Sequence, residues 1–181
     1  MLNLAESCTA CPLAAFATHA VWGEGPRGGL MVIGEAPGAN EDKTGRPFVG
    51  KAGGLLDRLL EEAGLSRREV YITNIVKHRP PGNRDPKPRE VEACSDFLSW
   101  ELMSVAPPVV LLMGRNAMRL AFSFEERIGR VAGTARSTEI HGHQTTAIAT
   151  WHPASALRNP HQEADIVRDL RRAKRYLGEA S

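Results

Sequence analysis

The chain has little that would mark a secreted, membrane-bound or disulfide-built protein. It holds only three cysteines in 181 residues. An odd count makes a disulfide framework a poor reading and gives weight to a metal or redox site. No apolar stretch is long enough to cross a bilayer. The opening residues Met1-Leu2-Asn3-Leu4-Ala5-Glu6 have neither the basic nor the apolar region of a secretory signal, so the expectation is a cytoplasmic protein with no membrane contact. There is no repeat, linker or low-complexity segment. Residues 1–181 therefore read as a single domain, long enough for one good core. The formal net charge is only +2, which by itself does not indicate nucleic acid. The distribution says more. Lys77, Arg79, Arg84, Lys87 and Arg89 stand against a lone Asp85, and Arg168, Arg171, Arg172, Lys174 and Arg175 close the chain. The second cluster reads as the solvated face of a helix.

What is present is an alternation of strand-like and helix-like segments. Leu30–Gly34, Val70–Val76 and Val109–Gly114 are apolar, β-branched runs that read as buried strands. Gly53–Gly64 carries Leu55, Leu56, Leu59, Leu60 and Ala63 at helical spacing, with Gly64 as its stop. Glu90–Val105 reads as a helix, Asn116–Phe122 as a short one and Ala164–Leu177 as a closing one. Arg79–Pro88 holds four prolines and a glycine and reads as an ordered loop. Val131–Ile148, with Gly142 near its middle, suggests a hairpin ending in the strand Thr146–Thr150. The predicted class is α/β: a three-layer α/β/α sandwich around a central, mostly parallel four-stranded sheet.

Two turns carry chemistry. Gly34-Glu35-Ala36-Pro37-Gly38-Ala39-Asn40-Glu41-Asp42 and Trp151-His152-Pro153-Ala154-Ser155-Ala156-Leu157-Arg158 each follow a strand. Open α/β sheets place ligands outside the carboxyl ends of their strands. A free carboxylate and a free imidazole there make a plausible active site. Asn74 within an apolar β run is unusual and points to function.

Further segments stand in a distinctive order: Cys8-x-x-Cys11, Gly34-Glu35-Ala36-Pro37-Gly38, Gly45-Arg46-Pro47-Phe48-Val49-Gly50, Thr73-Asn74-Ile75-Val76-Lys77, Arg79-Pro80-Pro81-Gly82-Asn83-Arg84, Cys94, and His152-Pro153 with Leu157-Arg158. By this collinear set the chain resembles the uracil-DNA glycosylase superfamily, most closely its family 4, the iron–sulfur bacterial and archaeal enzymes. The resemblance implies a monofunctional DNA repair glycosylase. It would extrude uracil from single- or double-stranded DNA, hydrolyse the bond to deoxyribose and leave an abasic site. A monomer acting on uracil-containing DNA is expected.

Roles follow from the resemblance. His152 is the candidate donor to uracil O2, where negative charge develops. Asn74 is the candidate base reader, accepting from N3–H and donating to O4. Phe48 is the stacking platform. Gly34 and Ala36 line the pocket, and Ala36 stands where human-type enzymes carry an activating aspartate. Glu35 is placed on the water or at the pocket floor, and Glu41 where a bulky group excludes the thymine methyl. Leu157 is an apolar wedge with Arg158 on the adjacent phosphate, while Arg79, Arg84, Lys87 and Arg89 offer further phosphate contacts.

Cys8, Cys11, His78 and Cys94 are the implied ligands of a structural [4Fe–4S] cluster. Spacing alone does not separate it from zinc, for which Cys₃His is also a good donor set. His78 departs from the family-4 pattern, which has cysteine there. The related covalent uracil-binding branch, UdgX, has histidine at this point, together with an inserted basic loop bearing a reactive histidine. The Arg79–Arg89 loop has no histidine and no insertion, so turnover is expected over covalent trapping. The rival readings are a UdgX-type binder and a small-molecule α/β hydrolase or nucleotide-binding protein.

Overall fold

The computed structural model describes residues 8–180; the Met1–Glu6 segment considered above lies outside them. Five strands form one sheet: β1 (Leu30–Gly34), β2 (Val70–Asn74), β3 (Val109–Met113), β4 (Ala135–Ile140) and β5 (His143–Thr150). Their order is β2-β1-β3-β5-β4. The first four in that order run parallel, and β4 pairs antiparallel with β5. The expected hairpin is present, and its first arm adds an edge strand to the four parallel ones. Seven α-helices accompany the sheet among the described residues, besides three short 3-10 turns: α1 (Ala39–Thr44), α2 (Lys51–Glu62), α3 (Pro88–Val105), α4 (Gly114–Met118), α5 (Ile128–Val131), α6 (Pro153–Ala156) and α7 (His161–Ala180).

Successive residues of a strand face opposite sides, so the continuous apolar runs feed two cores. Leu30, Val32, Val109, Leu111 and Ile148 pack against Leu56, Leu59 and Leu60 of α2 and Ile166 and Leu170 of α7. Met31, Ile33, Val110, Leu112, Ala147 and Ala149 pack against Cys94, Leu98 and Leu102 of α3 and Ala117 and Met118 of α4. Helices on both faces make the three-layer sandwich. No helix of the described residues is long and apolar enough to cross a membrane.

Several observed bounds differ from the expected ones. The helix expected to begin at Asn116 begins at Gly114, immediately after β3, because Gly114 at φ +88° turns the chain without strain. The closing basic cluster is only partly a solvated face. Arg171 donates to the Glu62 carbonyl, Lys174 to that of Gly64 and Arg172 to that of Gly133, so these side chains tie α7 to neighbouring segments.

Parallel register brings the strand ends to one edge. Gly34 lies beside Asn74, and Met113 beside Thr150. Glu35, Asn74, Gly114 and His152 thus emerge from one end of the sheet.

Candidate active site

Asn74 is the last residue of β2 and is buried, and its Oδ1 has no hydrogen-bond partner. A buried acceptor without a partner costs about 1–3 kcal/mol, which a ligand donor would relieve. Beside it, Gly34 has no room for a side chain. A Cβ there would sit 2.5 Å from both Asn74 Oδ1 and Phe48 Cζ. The Phe48 ring in turn stacks on His152, with centroids 5.7 Å apart and planes at 28°. Asn74, Gly34, Phe48 and His152 therefore form one contiguous set, although they come from separated stretches of sequence.

Local chemistry aims each group. His152 caps α6 before Pro153, and its Nδ1 accepts from the Ala154 N–H at 3.1 Å. An Nδ1 that accepts leaves the proton of the neutral ring on Nε2, so the free nitrogen is a donor. Burial, with Arg158 adding to it against the opposing Glu41, lowers the pKa to about 4. The imidazole is thus neutral at physiological pH. Gly114 gives the ring its place, since a Cβ there would lie 3.0 Å from His152 Cβ.

Phe48 is held in an uncommon backbone conformation, φ +51°, which costs about 1–3 kcal/mol for a non-glycine residue. Its neighbours over-determine it. Glu41 Oε1 accepts from the N–H groups of Val49 at 2.8 Å and Gly50 at 2.7 Å, and Oε2 accepts from Gly38 N–H at 3.1 Å. From the other side, Arg67 donates to the carbonyls of Phe48 at 3.0 Å and Pro47 at 2.6 Å. Gly53 lies so close beneath the Phe48 carbonyl that a Cβ could not fit. The expected placement of Glu41 at the thymine methyl thus meets a carboxylate that is engaged by main-chain N–H groups on both of its oxygens.

Glu35 follows β1, is half-buried, and its Oε2 accepts from Asn116 Nδ2 at 2.6 Å. Burial raises its pKa; the Asn116 bond opposes this, and the Asp85 carboxyl facing it adds to the rise. Ala36 packs on the core. On the rim, Leu157 and Arg158 are exposed immediately after α6. Lys87 is exposed at the start of α3, and Arg79 Nε donates to Asn83 at 2.7 Å. Arg84, expected as a phosphate contact, also has a partner within the protein. Both its terminal nitrogens bond the buried Glu90 carboxylate, at 2.8 and 2.6 Å, which latches the proline-rich loop to α3.

A carboxamide with an unpartnered buried oxygen, a neutral imidazole donor and a stacked aromatic stand together at the ends of parallel strands. The chain matches the family model for the uracil DNA glycosylase superfamily over residues 22–174. The chain belongs to that superfamily. It is 44% identical over 178 residues to the type-4 uracil-DNA glycosylase of Saccharolobus solfataricus, covering 95% of this chain and 82% of that protein. It is 40% identical to the type-4 enzyme of Thermotoga maritima, covering 95% of this chain and 90% of the relative. A type-5 uracil-DNA glycosylase of Pyrobaculum aerophilum is more distant, at 32% identity over 81% of this chain and 73% of that protein.

The four residues that the family resemblance suggests as cluster ligands lie at the N-terminal segment, the end of the β2 loop and α3. Cys8 and His78 line one cavity of about 380 Å³, and Cys8 and Cys11 line an adjoining cavity of about 580 Å³. Cys94 is buried, and Cys11 packs on the same apolar cluster. Burial raises the Cys94 thiol pKa, and the neighbouring Cys11 and Cys8 add to the rise. Among the described residues, no three Cys, His, Asp or Glu side chains converge on a single ion position. Three thiols and an imidazole are a donor set whose chemistry suits zinc and an iron–sulfur cluster alike.

Sequence reading missed Asn116, Arg67, Lys77 and Asp85. The strand-end rule that selected Glu35 and His152 also covers Gly114-Arg115-Asn116 after β3, so Asn116 was within reach. Lys77 carried a signal too, as a cation ending an apolar run. Nothing local marked Arg67 or Asp85.

Proposed function

We propose that this chain is a monofunctional uracil-DNA glycosylase that hydrolyses the N-glycosidic bond of uracil in DNA and leaves an abasic site. The observation that carries the reading is the buried, unpartnered Asn74 Oδ1 beside Phe48 and His152. Uracil presents N3–H to that oxygen and O4 to the amide nitrogen; cytosine presents the opposite pattern. The wrong base leaves buried polar groups unmatched, at about 1–3 kcal/mol each.

The extruded base stacks on Phe48 over Gly34, whose missing side chain makes the space. As the bond to C1′ lengthens, negative charge collects on the ring near O2. The Nε2–H of neutral His152 donates to that oxygen from a fixed position, the preorganised stabilisation that catalysis needs. Being neutral, the ring offers a hydrogen bond and not a proton. Glu35, held by Asn116, lies beside the sugar and orients the attacking water. With alanine at position 36, no aspartate stands next to Glu35 in the turn, and electrostatics carries most of the rate. Leu157 fills the gap left in the stack, at a flipping cost of about a few kcal/mol. Arg158, Arg79 and Lys87 hold phosphates. Arg84 serves as a loop latch and Glu41 as a positioning residue for Phe48.

Cys8, Cys11, His78 and Cys94 would hold a [4Fe–4S] cluster, which supplies cross-linking and no chemistry to the reaction. The cytoplasm and a monomeric state complete the proposal. Incubation with a uracil-containing oligonucleotide followed by alkali tests it. Strand cleavage at the uracil position supports it. An uncleaved strand rejects it, and a denaturant-resistant protein–DNA adduct would replace turnover with covalent trapping.

A further inference from the structure

Behind the pocket lies a second polar constellation that touches no base. Lys77 and Glu101 form a salt bridge at 2.7 Å with side chains 1% and 0% exposed. The Lys77 ammonium also donates to Thr73 Oγ1 at 2.9 Å and to the Asn74 main-chain carbonyl at 2.8 Å, so its three protons are all used. Glu101 is equally committed. Its Oε2 accepts from Thr73 Oγ1 at 2.8 Å, and its Oε1 accepts from Gly23 N–H at 2.8 Å and from the Tyr71 hydroxyl at 3.4 Å. The Trp22 ring, 6.0 Å from the ammonium, covers the pair.

A buried ion pair is weak evidence for stability, because an apolar replacement often serves as well. Its position suggests a different use. Past Asn74 the chain leaves the sheet: Ile75 N–H donates to the Gly34 carbonyl and Val76 N–H to that of Glu35. The Asn74 carbonyl is then taken by Lys77. Fixing this peptide plane fixes the direction in which the Asn74 side chain leaves the backbone. Glu101 belongs to α3, so the aim of Asn74 is referred to a rigid helix on one face of the sheet.

We propose that the Lys77–Glu101 pair is a positioning strut that aims the Asn74 carboxamide at the base and thereby contributes to uracil recognition from outside the pocket. This rests on Asn74 being the base reader. The strut makes a binding geometry that survives the departure of substrate, so it acts on free uracil as much as on uracil in DNA.

The test compares K77M/E101Q, T73V and N74A with the parent chain. The double variant removes both charges together, which avoids leaving either one buried alone. The carboxamide introduced by E101Q can still accept from Gly23 N–H. Inhibition by free uracil, affinity for abasic-site DNA and thermal midpoint are measured for each. For K77M/E101Q the uracil inhibition constant rises about tenfold, the loss expected when a hydrogen bond is misdirected, while abasic-site DNA binds as before. T73V, which keeps both charges, shows a smaller rise of about threefold. Unchanged uracil inhibition in K77M/E101Q, with N74A impaired, overturns the strut and leaves the base reader standing. Unchanged inhibition in N74A overturns both. Equal losses toward uracil and abasic DNA, with a lowered midpoint, reduce the pair to a structural one and overturn the proposal. Should the double variant not fold, T73V decides, and parental uracil inhibition in it is the refuting result.

Discussion

Replacing His152 by glutamine separates a neutral imidazole from a charged one. The folded ring has its pKa lowered to about 4 by burial, against about 6.5 in an unfolded chain. Between these values the unfolded state binds the proton and the folded state does not. Stability therefore rises with pH through this window and is lost as pH falls from about 6.5 toward about 4. Between about pH 7.5 and 4.5 the shift corresponds to about 2.5 kcal/mol, or about 2 after discounting for the ring's partial exposure. His78, also lowered by burial, contributes with the same sign. The quantity of interest is therefore a difference between two proteins. Urea unfolding at both pH values should show the parent losing about 2 kcal/mol more than His152→Gln. An equal loss in both proteins would mean that His152 is not a buried neutral ring, and the donor role built on its Nε2–H would fall with it.

Three further outcomes follow from the same geometry. Gly34→Ala places a methyl 2.5 Å from Asn74 Oδ1 and Phe48 Cζ; uracil release in steady-state kinetics should fall by about tenfold or more, as overpacking of about 1–3 kcal/mol implies. Glu35→Gln removes a carboxylate whose pKa burial raises. Ionisation of Glu35 opposes folding, so the variant should melt higher than the parent near neutral pH, and the gain should vanish in acid, where the parent carboxyl is protonated in both states. Leu157→Ala should slow uracil release from duplex DNA by about tenfold and barely affect single strands, which have no stack to refill.

The sheet was legible because its parallel strands are buried on both faces and read as continuous apolar runs. The pocket was legible in outline because parallel strands deliver their ends to one edge: Gly34 and His152 were recognisable as strand-end residues, and Asn74 stood out as a carboxamide inside an apolar run that ends, in the fold, at Asn74 itself. What escaped was the choice of partners. Glu41 looked like a pocket residue, yet its carboxylate accepts three main-chain N–H groups and shapes the Phe48 loop. Arg84 looked like a phosphate contact, yet it is bound by Glu90. Arg67 clamps Phe48 from a turn before β2, and Glu101 reaches Lys77 from α3. A charged side chain declares its charge in the sequence, but its counter-charge is selected by chain closure between distant segments. The hairpin of β4 and β5 was legible, but not that its first arm would join the sheet as a fifth strand. Burial in β4 is sparse, with only Ile140 fully covered, so its apolar signal is weak and its pairing depends on β5.

A crystal structure with free uracil tests the central claim most directly. The ring should lie against Phe48, with O2 in hydrogen-bonding reach of His152 Nε2 and N3–H on Asn74 Oδ1. Uracil bound away from these two groups, or with its O2 edge turned to Asn74, would contradict it.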